Sequence, residues 1–308
     1  MPASGEWVMF PQRTMFPLLT STVLGLLYTT ASAVILPRTS AVHLAVSPQC
    51  GTLAGGVPAD VNVGLGSLSQ YKTIVAFGDS YTGGGDTNGP TWVEDLATSV
   101  GAKLINYASS GAVIDVNQWP QIAPIQTTAS VDFINQAGNF TASQILQELD
   151  HETTLFVLFW GIGDYAEAVA TGETDMSNIA GVLVYTLLEL TSSPSFATNV
   201  LVVDNYGLGL TSPAGNAFKQ DVFTSLGTGR SAFNWNVGYA SFNGIWDGVL
   251  YGSPGYEAFG FTDTGMCNET CADPAHTFYW APGNPSAATH SIMATYVEEV
   301  LTQCVSST

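Results

Sequence analysis

Positive charge is scarce in this chain. Its 308 residues include 6 Lys and Arg against 25 Asp and Glu, a formal net charge of -19. A field of that sign repels nucleic-acid phosphates and anionic lipid surfaces, so neither is an expected partner. The chain also lacks an internal Pro/Gly/Ser-rich linker or a run of like charges, which favours one domain over two.

Long apolar runs are absent except near the N-terminus. Arg13 precedes an apolar run over residues 16–28, and the small residues 31–33 (Ala-Ser-Ala) follow it. This is the pattern of a secretion signal with its cleavage site, so residues 1–33 are predicted to be removed on export. Met15, which lies just before this run, could be the true first residue of the protein. The alternative is a retained N-terminal anchor, although the run is short for a membrane span.

Cysteine is also rare, with four in the chain: Cys50, Cys267, Cys271 and Cys304. Secretion permits disulfides, and three pairings are possible. Cys267 and Cys271 are separated by only three residues and can close a tight loop, which leaves Cys50 to pair with Cys304. Metal binding by the Cys-x3-Cys pair is the alternative, but no nearby His pair completes such a site.

Two sequons agree with export through a glycosylating pathway. They place glycosylation at Asn139 and Asn268. We find no sequence motif for a cofactor or a metal, so neither is expected. The sequence therefore predicts a secreted, monomeric protein that acts on a small molecule.

Short apolar runs alternate with helical patterns along the chain. Residues 34–70 are predicted to form an irregular leader and residues 71–308 the folded domain. The predicted strands are 71–77, 103–107, 154–160, 199–203 and, more weakly, 232–237. The predicted helices are 92–100, 141–149, 176–190 and 286–301. The alternation predicts a mainly parallel sheet covered on both faces, with ligands bound where strands end.

One tripeptide at such a strand end carries candidate chemistry. Gly78-Asp79-Ser80 follows the apolar run 71–77. A Ser in a strand-to-loop turn exposes its Oγ, and the adjoining N–H can help to hold an oxyanion. On its own the tripeptide also fits a plain Asp/Ser turn.

Further blocks in the same order resemble the GDSL family, also called SGNH hydrolases. The resemblance extends from about residue 50 to residue 304. Within the family, the chain looks most similar to the fungal acetylesterase-like branch, carbohydrate esterase family sixteen. Its blocks are FGDSYT at 77–82, NGPTWVEDL at 88–96, NYASSGAVID at 106–115, FNGIWDGVLYGSPGYEAFGF at 242–261 and YWAPGNPSAATHSIMA at 279–294. The resemblance implies a three-layer α/β/α (flavodoxin-like) fold and a serine nucleophile that attacks an ester carbonyl. It also implies an oxyanion site and a His base oriented by an Asp three residues earlier.

Several positions depart from the family pattern. Ser80 matches the nucleophile and Gly111 the second-block glycine, whose N–H would share the oxyanion with that of Ser80. Gly163 stands where the family has its oxyanion Asn. Ala281 stands at the Asp position and Asn284 at the His position. An Asn cannot accept and return a proton, so Ser80 has no base at the expected place.

A displaced pair could supply the missing base. Asp273 and His276 have the Asp-x-x-His spacing, eight residues upstream. The alternative is a surface loop with a chance match. His290 is predicted to pack or to form a hydrogen bond in the last helix. Two hypotheses follow: a secreted esterase that acts on a small ester or an acetylated oligosaccharide, or a catalytically silent relative that keeps the cleft for binding. The distance from His276 to Ser80 discriminates between them.

Overall fold

A six-stranded sheet lies at the centre of the computed structural model, which describes residues 41–306 except residues 55, 120, 122–131 and 269. The predicted secretion signal, 1–33, lies outside the described residues. The strands of this sheet are β1 (Val61–Val63), β2 (Thr73–Gly78), β3 (Lys103–Asn106), β4 (Thr154–Trp160), β5 (Asn199–Asp204) and β6 (Asn236–Ser241). Their order is β1-β6-β5-β4-β2-β3, and every neighbouring pair is parallel except β1 with β6. A small second sheet joins β7 (Asp263–Met266), β8 (Thr277–Ala281) and β9 (Asn284–Pro285).

Helices cover both faces of the large sheet. They are α1 (Ser80–Gly83), α2 (Trp92–Val100), α3 (Phe133–Thr141), α4 (Ile162–Thr171), α5 (Ser177–Thr191), α6 (Pro213–Phe233), α7 (Asn243–Trp246) and α8 (Ala287–Gln303). Side chains alternate along β4: Phe156 and Leu158 pack into one buried cluster with α3, α5 and α6, whereas Val157 and Phe159 pack into another with α2 and α8. This three-layer α/β/α arrangement confirms the predicted fold class.

Three local predictions differ from the structure. The segment 141–149 is not one helix, because α3 ends at Thr141 and a short 3-10 helix follows over Gln144–Glu148. The weak strand predicted over 232–237 begins later, at Asn236, since α6 runs to Phe233. The leader is not irregular throughout, because β1 is a buried edge strand against β6. Three residues are too few for a periodic pattern to show.

Two disulfides join the predicted cysteines. Cys50 and Cys304 are bonded with their Cα atoms 5.0 Å apart, and Cys267 and Cys271 with theirs 4.8 Å apart. The first bond lies beside a hydrogen bond from the N–H of Asn62 to the carbonyl of Cys304 (2.9 Å). Leader and last helix are thus joined both covalently and through β1. Such bonds are typical of proteins outside the reducing cytosol.

Both sequon asparagines are exposed: Asn139 on α3, and Asn268 beside the Cys267–Cys271 loop. Glycosylation there stays a prediction. Among the described residues, none of the helices has the length and apolar character needed to cross a membrane.

Candidate active site

Ser80 lies at the carboxyl end of β2, an inner strand of the sheet. Asp79 caps α1 by accepting a hydrogen bond from the N–H of Tyr81 (3.0 Å), and Ser80 is the first residue of that helix. A side chain at Gly78 would place its Cβ 2.8 Å from the carbonyl oxygen of Phe159, so the close approach of β2 to β4 requires glycine here. Ser80 is half-buried, and its Oγ forms no hydrogen bond within the described part of the chain.

The loop after β3 lies along α1. The N–H of Ser109 donates to the carbonyl of Gly78 (3.0 Å), and the side-chain amide of Asn106 donates to the carbonyl of Thr82 (2.8 Å). Gly111 follows two residues after Ser109 with a φ of 75°. The loop that carries Gly111 thus contacts the residues on both sides of Ser80. That Ser80 and Gly111 share an oxyanion site stays a prediction.

The start of α4 packs against the next part of that loop. A Cβ at Gly163 would lie 3.1 Å from both the carbonyl oxygen of Ala112 and Cγ1 of Val113. Asp164 accepts hydrogen bonds from the N–H of Ile114 (3.1 Å) and from Nε1 of Trp119 (2.8 Å). This carboxyl group therefore positions the loop that carries Gly111. The sequence predicts Asp164 to be a local hydrogen-bond anchor, but its partners Ile114 and Trp119 lie about fifty residues away, beyond the reach of a local pattern.

Two buried carboxyl groups lie under this edge. Burial raises the pKa of Asp164 to about 7, against the opposing effect of its hydrogen bonds from Trp119 and Ile114. Burial, together with the nearby charge of Asp164, also raises the pKa of Asp79 to about 8. Both groups hold a proton more tightly in the folded protein than in the unfolded chain.

These shifts give stability a defined pH dependence. Because an unfolded Asp has a pKa of about 3.9, the folded state binds more protons between about pH 4 and pH 8. The free energy of unfolding should therefore fall as pH rises through that range. Asp164→Asn keeps an acceptor for Ile114 and Trp119 but cannot ionise, so it should flatten the decline below pH 7. Melting temperatures measured from pH 4 to pH 8 check this, with the exposed Asp221→Asn as control; an unchanged slope in Asp164→Asn would contradict it.

The last segment of the site is the turn between β8 and β9. The hydroxyl of Tyr81 donates to the carbonyl of Gly283 (2.5 Å), and β9 packs against α1. Ala281 and Asn284 are paired across the two strands. The Asn284 amide donates to the carbonyl of Pro282 (3.3 Å). The two substituted positions thus lie together, in the segment that contacts α1.

Asp273 and His276 do form a pair. Nδ1 of His276 lies 2.9 Å from both carboxylate oxygens of Asp273. His276 immediately precedes β8, whose other end, at Ala281, leads into the turn near α1. Five residues of strand at about 3.3 Å each put His276 about 16 Å from Ala281. The pair lies at the far end of β8 from the turn that contacts α1. That His276 acts on Ser80 stays a prediction, which this placement disfavours.

The other histidines offer no replacement base in the described structure. His290 is buried, and its Nδ1 accepts a hydrogen bond from the N–H of Trp92 (3.2 Å), as its predicted packing role implies. Burial lowers the pKa of His290 to about 3, so this ring is neutral at ordinary pH. His151 precedes β4 and so lies at the opposite edge of the sheet from Ser80. His43 bonds to the carbonyl of Ala41 in the leader. No group of three or more metal-ligating side chains occurs among the described residues.

Comparison with known proteins gives distant likenesses. No protein-family model and no curated protein matches the chain. Among solved structures, it is similar to an acetylxylan esterase from Geobacillus stearothermophilus, with 14% identity over 80% of this chain and 100% of that one and a TM-score of 0.44. A lipase from a goat rumen metagenome gives 12% identity, 74% and 96% coverage and a TM-score of 0.45. A structure named as a GDSL-like lipase, from Parabacteroides merdae, gives 16% identity over 75% of this chain and 95% of that one, with a TM-score of 0.37. These values are too low to assign a family or an activity.

Proposed function

We propose that this protein is a secreted ester hydrolase of the serine type, in which Ser80 attacks the carbonyl of a carboxylic ester. One observation carries the proposal. The loop after β3 and the β8–β9 turn both contact α1, which begins at Ser80, and the start of α4 packs against that same loop beside Gly163. These are the segments that the GDSL resemblance assigns to nucleophile, oxyanion site and base.

The proposed oxyanion site has two of the three hydrogen-bond donors that the family resemblance implies. The backbone N–H groups of Ser80 and Gly111 would hold the developing negative charge of the tetrahedral intermediate. Gly163 has no side chain to add a third donor. Removal of one such donor from an esterase-type site typically costs about 10²–10³ in rate. Turnover should be correspondingly slow.

The proposed site is weakest in the group that would accept the proton of Ser80. A serine hydroxyl is a poor nucleophile unless a base accepts its proton. The turn beside α1 offers Asn284, which cannot do so, and the Asp273–His276 pair lies at the far end of β8. Slow hydrolysis through Ser80 is therefore the expected activity. The amide of Asn284 beside α1 also favours a second candidate function, in which the protein binds an ester without cleaving it.

The expected substrate is a small uncharged ester, and an acetylated oligosaccharide agrees with the family resemblance. A net charge of -19 disfavours anionic substrates. We propose a monomer that acts in the extracellular medium without a metal or an organic cofactor.

Hydrolysis of 4-nitrophenyl acetate by purified protein tests the proposal. We expect slow release of nitrophenol that Ser80→Ala abolishes, because the acyl group is transferred to Oγ. His276→Ala should change the rate less than twofold, like the exposed control His43→Ala. A loss of about 10²-fold in His276→Ala would instead identify the displaced pair as the base. Equal rates for the parent and Ser80→Ala would refute a serine mechanism.

A further inference from the structure

A second polar site lies at the same edge of the sheet, beyond β5 and β6. A cavity of about 390 Å³ opens there between α6, the start of α7 and the leader residues Val57 and Pro58. Small-molecule sites are usually roughly 300–1,000 Å³ in volume. Hydrogen-bonding side chains line the cavity: Tyr206, Thr211, Asn216, Lys219, Gln220 and Asn243.

Polar atoms in this region lack hydrogen-bond partners. Asn243 lines the cavity, and its Oδ1, which is shielded from solvent, accepts no hydrogen bond from the described residues. Asn205, directly after β5, is fully buried, and neither atom of its amide is bonded within the described structure. Buried amides in proteins are almost always satisfied. The cavity thus lies beside buried polar groups whose hydrogen bonds the described residues do not supply.

The charge in the cavity is already balanced. Nζ of Lys219 lies 3.4 Å from Oδ2 of Asp204 and donates to the hydroxyl of Ser241 (2.8 Å). The ammonium also lies 5.8 Å from the centre of the Tyr239 ring. An anion would have to compete with Asp204 for this one cation, in a protein with a large excess of acid. The lining therefore fits a neutral ligand.

We propose that this cavity binds a neutral polyhydroxylated molecule, a sugar of one or two residues. Amide and hydroxyl side chains both donate and accept, which is what a set of sugar hydroxyls requires. Val57 and Pro58 give the cavity an apolar wall suited to the C–H face of a sugar ring. The site is built from residues other than Ser80, so it does not depend on the proposed hydrolysis.

Calorimetric titration of the full-length mature protein tests this inference. Cellobiose and xylobiose are the neutral ligands, and inorganic phosphate is the anionic one. We expect saturable binding of at least one disaccharide in the millimolar range and none of phosphate. Asn243→Leu, which removes the amide but keeps the bulk, should weaken binding roughly tenfold, the effect of losing one or two hydrogen bonds. Asn178→Leu, on the exposed first turn of α5, is the matched control and should bind as the parent does.

Two further variants keep the result decisive. If Asn243→Leu does not fold, the isosteric Thr211→Val removes a different lining hydroxyl and should weaken binding about fivefold. Ser80→Ala should bind the disaccharide with unchanged affinity, which separates this site from the ester site. Saturable phosphate binding, absence of disaccharide binding up to 100 mM (about ten times the weakest affinity expected), or equal affinity in the folded lining variants would overturn the proposal.

Discussion

Replacing Asn284 by His and Ala281 by Asp in one variant is expected to raise the rate of acetate-ester hydrolysis by ~10²-fold or more. The two positions are paired across the β8–β9 turn, so the introduced carboxylate and imidazole should lie within hydrogen-bond reach. The turn contacts α1 through Tyr81 and Gly283. A general base at this position can take the proton from Ser80 as its Oγ attacks the carbonyl.

Initial rates on 4-nitrophenyl acetate, measured from pH 5 to pH 9, check the result. The matched control is Asn284→Gln with Ala281→Asn, which alters the same positions without a titrating group and should show no gain. Adding Ser80→Ala to the active variant should remove the gain. If a folded double variant is no faster than its control, the turn does not hold a base near Ser80, and binding without hydrolysis becomes the better account.

Gly163→Asn extends the same test. The restored amide could add a donor to the oxyanion site, worth up to ~10²-fold when the base is present. Its Cβ would lie 3.1 Å from the carbonyl oxygen of Ala112, so this loop must shift by a few tenths of an ångström. Introduced alone, it should change the rate little, because stabilising the oxyanion helps little while Ser80 lacks a base.

Loss of the Cys50–Cys304 disulfide is expected to cost about 5 kcal/mol of stability in the chain-entropy description. The bond closes a loop with a sequence separation of 254 residues, whereas Cys267–Cys271 closes one of only 4. The shorter bond should contribute about 2 kcal/mol by the same reasoning. Since small domains are stable by about 5–15 kcal/mol, the longer bond accounts for a large share.

Urea unfolding of the paired variants Cys50→Ala with Cys304→Ala and Cys267→Ala with Cys271→Ala measures both contributions. The first pair should unfold at a clearly lower urea concentration than the second. Equal midpoints would mean that the hydrogen bond between Asn62 and Cys304, with the packing of α8, already holds the leader in place. The chain-entropy argument would then fail for this protein.

Much of the central architecture could be predicted because its signals are local. The run Leu155–Trp160 is apolar at every position, which identifies a strand buried on both faces. Gly78 ends the first inner strand and places Ser80 at its carboxyl edge. The spacing of the cysteines favoured the two observed bonds, and the apolar pattern of 286–301 located α8 to within two residues. Each of these inferences needs only neighbouring residues, except the Cys50–Cys304 bond, which follows by elimination once Cys267 and Cys271 are paired.

The sequence indicated that Asp273 and His276 could pair, but not where this pair lies relative to Ser80. The spacing of Asp273 and His276 predicted their contact, and the 3-10 helix between them brings the side chains to 2.9 Å. The direction of β8 determines where that pair lies relative to Ser80. Strand direction in a small second sheet depends on β7, β9 and α8, which no short pattern encodes.

What the sequence by itself determined is therefore the fold class, the position of Ser80 at a strand end, and the departure of Gly163, Ala281 and Asn284 from the family pattern. Tertiary structure alone decided that Asn284 and not His276 lies in the turn that contacts α1, and that Asp164 positions the Gly111 loop. It alone also assembled the second cavity, whose Val57, Lys219 and Asn243 come from three distant segments. The physical reason is that helices and strands follow from short-range periodicity, whereas a site depends on long-range contacts that form only when the layers pack.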